Sequence, residues 1–83
     1  MTLEIITPDR KVFEGEVTSA RFPGVDGQFE VLNNHAPLIS ALRAGEVAVT
    51  PRAGGPRELF YVTGGVVEVL RNNVTVLAES VSA

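Results

Sequence analysis

The chain holds one histidine, His35, and no cysteine. A Ser-His-Asp relay therefore has a single available base, and a Cys-His pair has no nucleophile. A zinc site would have to join His35 to carboxylates alone, an uncommon ligand set. Glu14 and Glu16 stand two apart, which puts both carboxylates on one face of a strand and raises paired acid–base chemistry. Beside Gly15 the plainer reading is a solvated strand face. No glycine-rich loop runs into Lys and then Ser or Thr, so a P-loop phosphate cradle is missing. Gly24-Val25-Asp26-Gly27 lacks the spaced acids of an EF-hand calcium loop. Catalysis by this chain alone is not indicated, and no catalytic residue, metal ligand or cofactor is assigned. His35, beside Asn33 and Asn34, reads two ways: a solvated or locally bonded loop residue, or an amphipathic ring packed at an interface.

The elements that position these residues are short. Thr7-Pro8-Asp9-Arg10 reads as a tight turn, and Pro23 to Gly27 as a longer loop with two flexible glycines. Further breaks fall at Asn33-Asn34, Ala44-Gly45, Pro51 to Pro56, Gly64-Gly65 and Arg71-Asn72-Asn73. The intervening segments are rich in Val, Leu, Ile, Phe and Thr and several alternate with period two. Thr18, Ala20 and Phe22 share one face of a strand from Glu16 to Phe22, and Val47 and Val49 share another. Val67-Glu68-Val69-Leu70 and Val74-Thr75-Val76-Leu77 flank an Asn-containing turn, a hairpin signal. The best helical candidate is Ala36 to Leu42, although Pro37 and Gly45 leave it barely two turns. Strands every 8–12 residues or so point to an all-β sandwich or barrel with no second domain.

Composition narrows the function. Eighty-three residues make one domain, of which 45% are apolar, enough to fold. The net charge of −3 and the single adjacent basic pair, Arg10-Lys11, argue against nucleic-acid binding. The start of the chain does not read as a secretory signal, and no stretch approaches the roughly 18–20 apolar residues of a membrane span, so a soluble chain is expected. Leu59-Phe60-Tyr61-Val62 and Val66-Val67-Glu68-Val69-Leu70 carry apolar side chains on both strand faces. A small sandwich buries one face per sheet, so the second apolar face suggests a covering partner; outward Val also simply suits the pleat.

Three longer segments are more specific. Asn34-His35-Ala36-Pro37-Leu38-Ile39-Ser40-Ala41-Leu42, followed by Gly45, resembles the His-Ala-Pro-Leu signature of the ε subunit of F-type ATP synthases. Phe60-Tyr61-Val62-Thr63-Gly64-Gly65-Val66-Val67-Glu68-Val69 and Asn73-Val74-Thr75-Val76-Leu77-Ala78-Glu79 are similar to that family's later segments. Leu3 to Thr7 followed by Val12-Phe13-Glu14-Gly15 resembles its start, and order and spacing agree over nearly the whole chain.

The resemblance implies one domain over residues 1–83, a flattened two-sheet β-sandwich of about ten short strands. It implies a non-catalytic central-stalk (rotor) subunit of the proton-translocating synthase, coupling the γ subunit to the c-ring at the cytoplasmic face of a bacterial inner membrane. Association with the membrane is then through the complex only. Thr7, His35 and Ser40 match positions expected near γ, and Val25-Asp26-Gly27-Gln28 matches the loop expected on the polar loops of the c-ring. Family members commonly continue into two C-terminal helices. This chain stops at Ser82-Ala83, so helix-borne inhibition and ATP binding are not carried over; the initiating Met favours a natural short form over a cut one. Asn34 stands where a Pro-Gly turn is common, and Asn tolerates the left-handed conformation such a turn needs. Gln28 and Glu30 replace residues commonly acidic and glycine. The competing expectation is a small ligand-binding β-domain or a minor hydrolase built on His35, which requires a concave pocket with an acid and a hydroxyl in reach.

Overall fold

The computed structural model describes residues 1–82, and every regular element in them is a strand. In chain order these are β1 (Thr2–Ile6), β2 (Lys11–Glu16), β3 (Ser19–Gly24), β4 (Gly27–Leu32) and β5 (Leu38–Leu42). They are followed by β6 (Gly45–Thr50), β7 (Glu58–Val62), β8 (Gly65–Leu70), β9 (Asn73–Ala78) and β10 (Val81–Ser82). Hydrogen bonds link them in the order β10-β7-β6-β3-β5-β8-β9-β1-β2, with β4 added to β3. The link between β3 and β5 is a single residue pair, Gly24 with Leu42. There the path turns over, stacking β10-β7-β6-β3-β4 on β5-β8-β9-β1-β2 as the two layers of a sandwich.

Alternation along each strand supplies the core. Leu3, Ile5, Val67, Val69, Val74 and Val76 line one layer, and Phe22, Val31, Val47, Val49, Phe60 and Val62 line the other. Phe13 of β2 and Phe60 of β7 meet edge-to-face across the layers with ring centroids 5.6 Å apart, a favourable aromatic geometry. All neighbours run antiparallel except β1 and β9, which pair in parallel from Thr2–Asn73 to Ile6–Leu77. The start of the chain thus enters the sheet beside its penultimate strand, and local hairpin logic does not reach that pairing.

Three sequence expectations are corrected. Ala36 to Leu42 contains no helix: Leu38–Leu42 is strand β5, paired antiparallel with β8 from Leu38–Val69 to Leu42–Gly65. Leu38, Ser40 and Leu42 share the inward face by period two, and sheet pairing overrides the helical preference of Ala and Leu. Glu16 to Phe22 is not one strand. The chain turns a corner at Val17-Thr18, where the Val17 N–H donates to Met1 O and the Thr18 N–H to Thr50 O. The Pro23–Gly27 loop shrinks to a two-residue turn at Val25-Asp26, since Pro23 and Gly24 continue β3 against Gln28 and Gly27. The β8–β9 hairpin forms as expected, with Arg71 and Asn72 at φ 52° and 63°, the double left-handed geometry of a type I′ turn.

Candidate partner-binding surface

Strand register sorts the turns to two ends of the sandwich. Ala41, Val66, Leu77 and Ile6 lie on one transverse level across β5, β8, β9 and β1. Just beyond that level are the 7–10 turn, Gly64-Gly65 and Val25-Asp26, whose Val25 N–H donates to Ala41 O at 3.1 Å. At the opposite end are Asn33 to Pro37, Arg71-Asn72 and the 51–57 loop.

The site residues expected from the sequence divide between these ends. Val25, Asp26, Gly27 and Gln28 form an exposed hairpin tip, with Gly27 at φ 135°. Thr7 closes the 7–10 turn at this same end: its N–H donates to Arg10 O at 2.9 Å and its hydroxyl to the same oxygen at 3.2 Å. His35 lies at the other end, in a turn where its N–H donates to Leu32 O and Asn34 sits at φ 62°. Asn34 therefore does hold the left-handed conformation in place of glycine. The Asn34 N–H also donates to Asn72 Oδ1 at 2.8 Å, tying the 33–37 loop to the β8–β9 turn. Ser40 is half-buried on β5, on the face it shares with Val67. His35 and Ser40 thus follow the side of β5 that parts from β3, whereas Thr7 lies three strand spacings to the side, roughly 14 Å, and at the end opposite His35. The three do not meet in one pocket.

His35 has local bonds only among the hydrogen bonds of the described residues. Its Nδ1–H donates to Ala36 O at 2.7 Å, which leaves Nε2 without the proton in the neutral ring. His35 does not line the surface concavities at Ile6–Pro8, at Thr18–Ser19 with Thr50, or at Pro51–Arg52 with Pro56. No cluster of three or more His, Cys, Asp or Glu side chains suited to a metal occurs among the described residues.

The conspicuous feature is apolar and exposed. On the level named above, Val66 and Leu77 are 40% and 56% exposed, and Val25 beside Ala41 is 55% exposed. Ile6 continues the row into a cleft of about 380 Å³ shared with Thr7, Pro8, Leu77, Ala78 and Glu79. One level along, Ile39, Glu68, Thr75, Glu4 and Glu14 form a more polar row. There Lys11 sits 2.8 Å from Glu4 and 3.0 Å from Glu14. Hydrogen bonds to Glu4 first and then Glu14 hold its ammonium above the ordinary lysine value. At the outer strand, the Thr2 hydroxyl donates to Glu16 Oε2 at 2.5 Å. That bond, followed by the nearby N-terminal charge, pulls the Glu16 carboxyl below its ordinary range. On the other layer Leu59 and Tyr61 point outward, 48% and 51% exposed, as the doubly apolar β7 segment implied. Leu77 and Ile39 were missed in the sequence. The signal for Leu77 was present, since Val74 and Val76 inward force Leu77 outward.

The sequence matches, over residues 1–83, the family described as the β-sandwich domain of the ATP synthase delta/epsilon chain. The chain belongs to this family. Among its relatives, the ATP synthase epsilon chain of Nitratidesulfovibrio vulgaris is 47% identical over 94% of this chain and 57% of that protein. The epsilon chain of Salinibacter ruber is 41% identical over 98% of this chain and 59% of its own length. The chain therefore spans somewhat under two thirds of these relatives. The epsilon chain of Chlorobium limicola is also 41% identical, over 96% of this chain, but there the match takes in 90% of the relative. The same fold occurs in a chain of the Euglena gracilis mitochondrial ATP synthase, with TM-score 0.89 and 21% identity over 96% of this chain and 51% of that one. A chain of the Tetrahymena thermophila mitochondrial ATP synthase central stalk and c-ring superposes with TM-score 0.83 and 17% identity, covering 99% of this chain and 65% of that chain. As an ATP synthase epsilon-type domain, the chain has the all-β sandwich that its strand pattern and motifs implied.

Proposed function

We propose that this domain, residues 1–83 acting as one unit, is a non-catalytic central-stalk element of a proton-translocating F-type ATP synthase. In this reading it couples γ to the c-ring and reaches the cytoplasmic face of a bacterial membrane through those partners. The family match along the whole chain carries the proposal. The physical support is a rigid two-layer body whose exposed apolar row suits a covering protein. No helix among the described residues is long and apolar enough to cross a membrane. The Val25–Gln28 hairpin tip is assigned to the polar loops of the ring, because it is exposed and stands clear at one end. His35 and Ser40, along the open side of β5, are assigned to γ. Thr7 lies with the ring-side turns, so its assignment to γ requires a partner that spans that end as well.

Torque transmission needs only that both contacts outlast a rotational step, so the domain's task is rigidity and complementary surface. A tagged chain recovered from its native membranes is expected to retain α, β, γ and c subunits. In a purified pair, size exclusion with light scattering is expected to show a complex with γ. Free migration of both proteins at micromolar concentration contradicts the coupling role.

A further inference from the structure

The 51–57 loop carries Arg52 and Arg57, two glycines and no acid. It joins β6 to β7 at the end of the sandwich opposite the Val25–Gln28 tip. Within it the Gly55 N–H donates to Arg52 O at 2.9 Å and Gly54 takes φ 74°, the place glycine holds in a type II turn. The Ala53 and Gly54 amides inside that turn have no backbone partner among the described residues. Strand register supplies the surface beside the loop. Ser19 pairs with Leu32 on one side and Thr50 on the other. One step along, Ala20, Val31 and Val49 are buried, so the Leu32-Ser19-Thr50 row takes the outer face. Arg57 stands one residue beyond the Val49–Glu58 pair and continues that row. A cleft of about 490 Å³ opens here, lined by Thr18, Ser19, Thr50, Gly54 and Arg57 among others, and no carboxylate lines it. The Thr18 hydroxyl is committed to Thr50 O at 2.9 Å. The Ser19 and Thr50 hydroxyls and the Arg57 guanidinium make no side-chain hydrogen bond or ion pair among the described residues.

We propose that this cleft binds a phosphoryl oxyanion, free in solution or carried as a lipid headgroup. The chemistry lies in the donor set. A guanidinium presents a planar fork of N–H groups that matches two oxygens of one anion. Two hydroxyls on the strands and two amides in the turn add donors from other directions. A tetrahedral phosphate has further oxygens to meet them, whereas a planar carboxylate is filled by the fork alone. The carboxylates in the vicinity are Glu30, opposite Arg21 two residues along β3 from Ser19, and Glu58, which lines a separate concavity. The chain as a whole carries −3, so the local donors must hold the anion against the overall field. The site is independent of the coupling role and lies away from the apolar row.

The test follows amide shifts of the isotope-labelled chain at low ionic strength, where surface charge is least screened. Inorganic phosphate, pyrophosphate and acetate are titrated in turn, with sodium chloride as the matched control. Saturable shifts are expected at Ser19, Gly54, Gly55 and Arg57, with Kd about 1 mM for phosphate and several-fold lower for pyrophosphate. Arg57→Gln is expected to weaken binding roughly tenfold and Ser19→Ala about threefold, while Arg10→Gln at the other end leaves it unchanged. Cosedimentation with phosphatidylglycerol vesicles that Arg57→Gln abolishes, beside a weak response to soluble phosphate, assigns the phosphoryl group to a lipid. Acetate binding as tight as phosphate overturns the proposal in favour of an acidic protein segment. Shifts that chloride reproduces, or that survive Arg57→Gln, also overturn it. If Arg57→Gln does not fold, Ser19→Glu decides: loss of binding in the folded variant supports the site, and unchanged binding refutes it.

Discussion

At Gly65 a single methyl group is incompatible with the backbone. The residue sits at φ 152°, and a Cβ placed there would lie 2.3 Å from Leu77 O and 2.9 Å from the Ala78 Cα. Both obstacles are backbone of the neighbouring strand β9, so neither can swing aside. Gly64, at φ 148°, would instead meet the Glu79 carboxyl at 3.3 Å, a mobile side-chain end. Gly65→Ala is therefore expected to destabilise the fold by about 3 kcal/mol or more and Gly64→Ala by about 1–2 kcal/mol, measured by urea unfolding. Equal losses would mean that φ strain rather than the β9 contact sets the cost. Titration gives a second residue-level expectation. Glu16 has its carboxyl pKa lowered in the folded chain, chiefly by the Thr2 hydroxyl, so it binds protons less readily folded than unfolded. Its contribution is present above the ordinary value of 4.5 and is lost as pH falls through the lower folded value. Thermal melts of Thr2→Val are expected to show a shallower loss of Tm on acidification below that pH than wild type.

The β8–β9 hairpin shows how local signals and long-range contacts combine. Its turn needs two left-handed residues, and Asn72 meets that need while its side chain accepts the Asn34 N–H. Asn72→Gly keeps the backbone geometry and removes the cross-link, whereas Asn72→Ala loses both. The expected costs by chemical denaturation are about 1 and about 2 kcal/mol respectively, and a larger loss for the glycine variant would contradict this division. That hairpin was legible in the sequence because alternation and turn chemistry agreed over a dozen adjacent residues. The same holds for Val47 and Val49, which share one face as read, and the structure turns that face inward. Legibility failed where distant pairing decided the local state. Leu38–Leu42 reads as a marginal helix in isolation, and only the β8 edge makes it a strand. Glu16 to Phe22 alternates well enough for one strand, but docking of Thr18 on Thr50 bends it into a corner. The arrangement of the candidate site residues was not legible for the same reason: the ends of the sandwich to which they fall depend on register across four strands.

For the whole molecule the question is which side a partner covers. A standard interface buries about 800 Å² per partner, close to one sixth of the chain's 4833 Å² surface. One sheet face suits such an area. The two faces differ in continuity. Ala41, Val66, Leu77 and Ile6 run unbroken across four strands, ending at the Ile6–Pro8 cleft. Leu59 and Tyr61 are flanked on the next strand by Ala48 and Glu46, with Arg21 and Glu30 beyond. An uninterrupted row excludes water better than a pair bordered by charges, and hot spots form in the drier patch. Leu77→Glu and Val66→Glu are therefore expected to weaken the proposed binding to γ at least 30-fold, about 2 kcal/mol, while leaving stability within about 0.5 kcal/mol because both side chains are already exposed. Leu59→Glu, a matched exposed substitution on the other layer, is expected to change binding less than threefold. Titration calorimetry with γ reads all three, and a reversed order of effects would move the proposed γ contact to the β7 face.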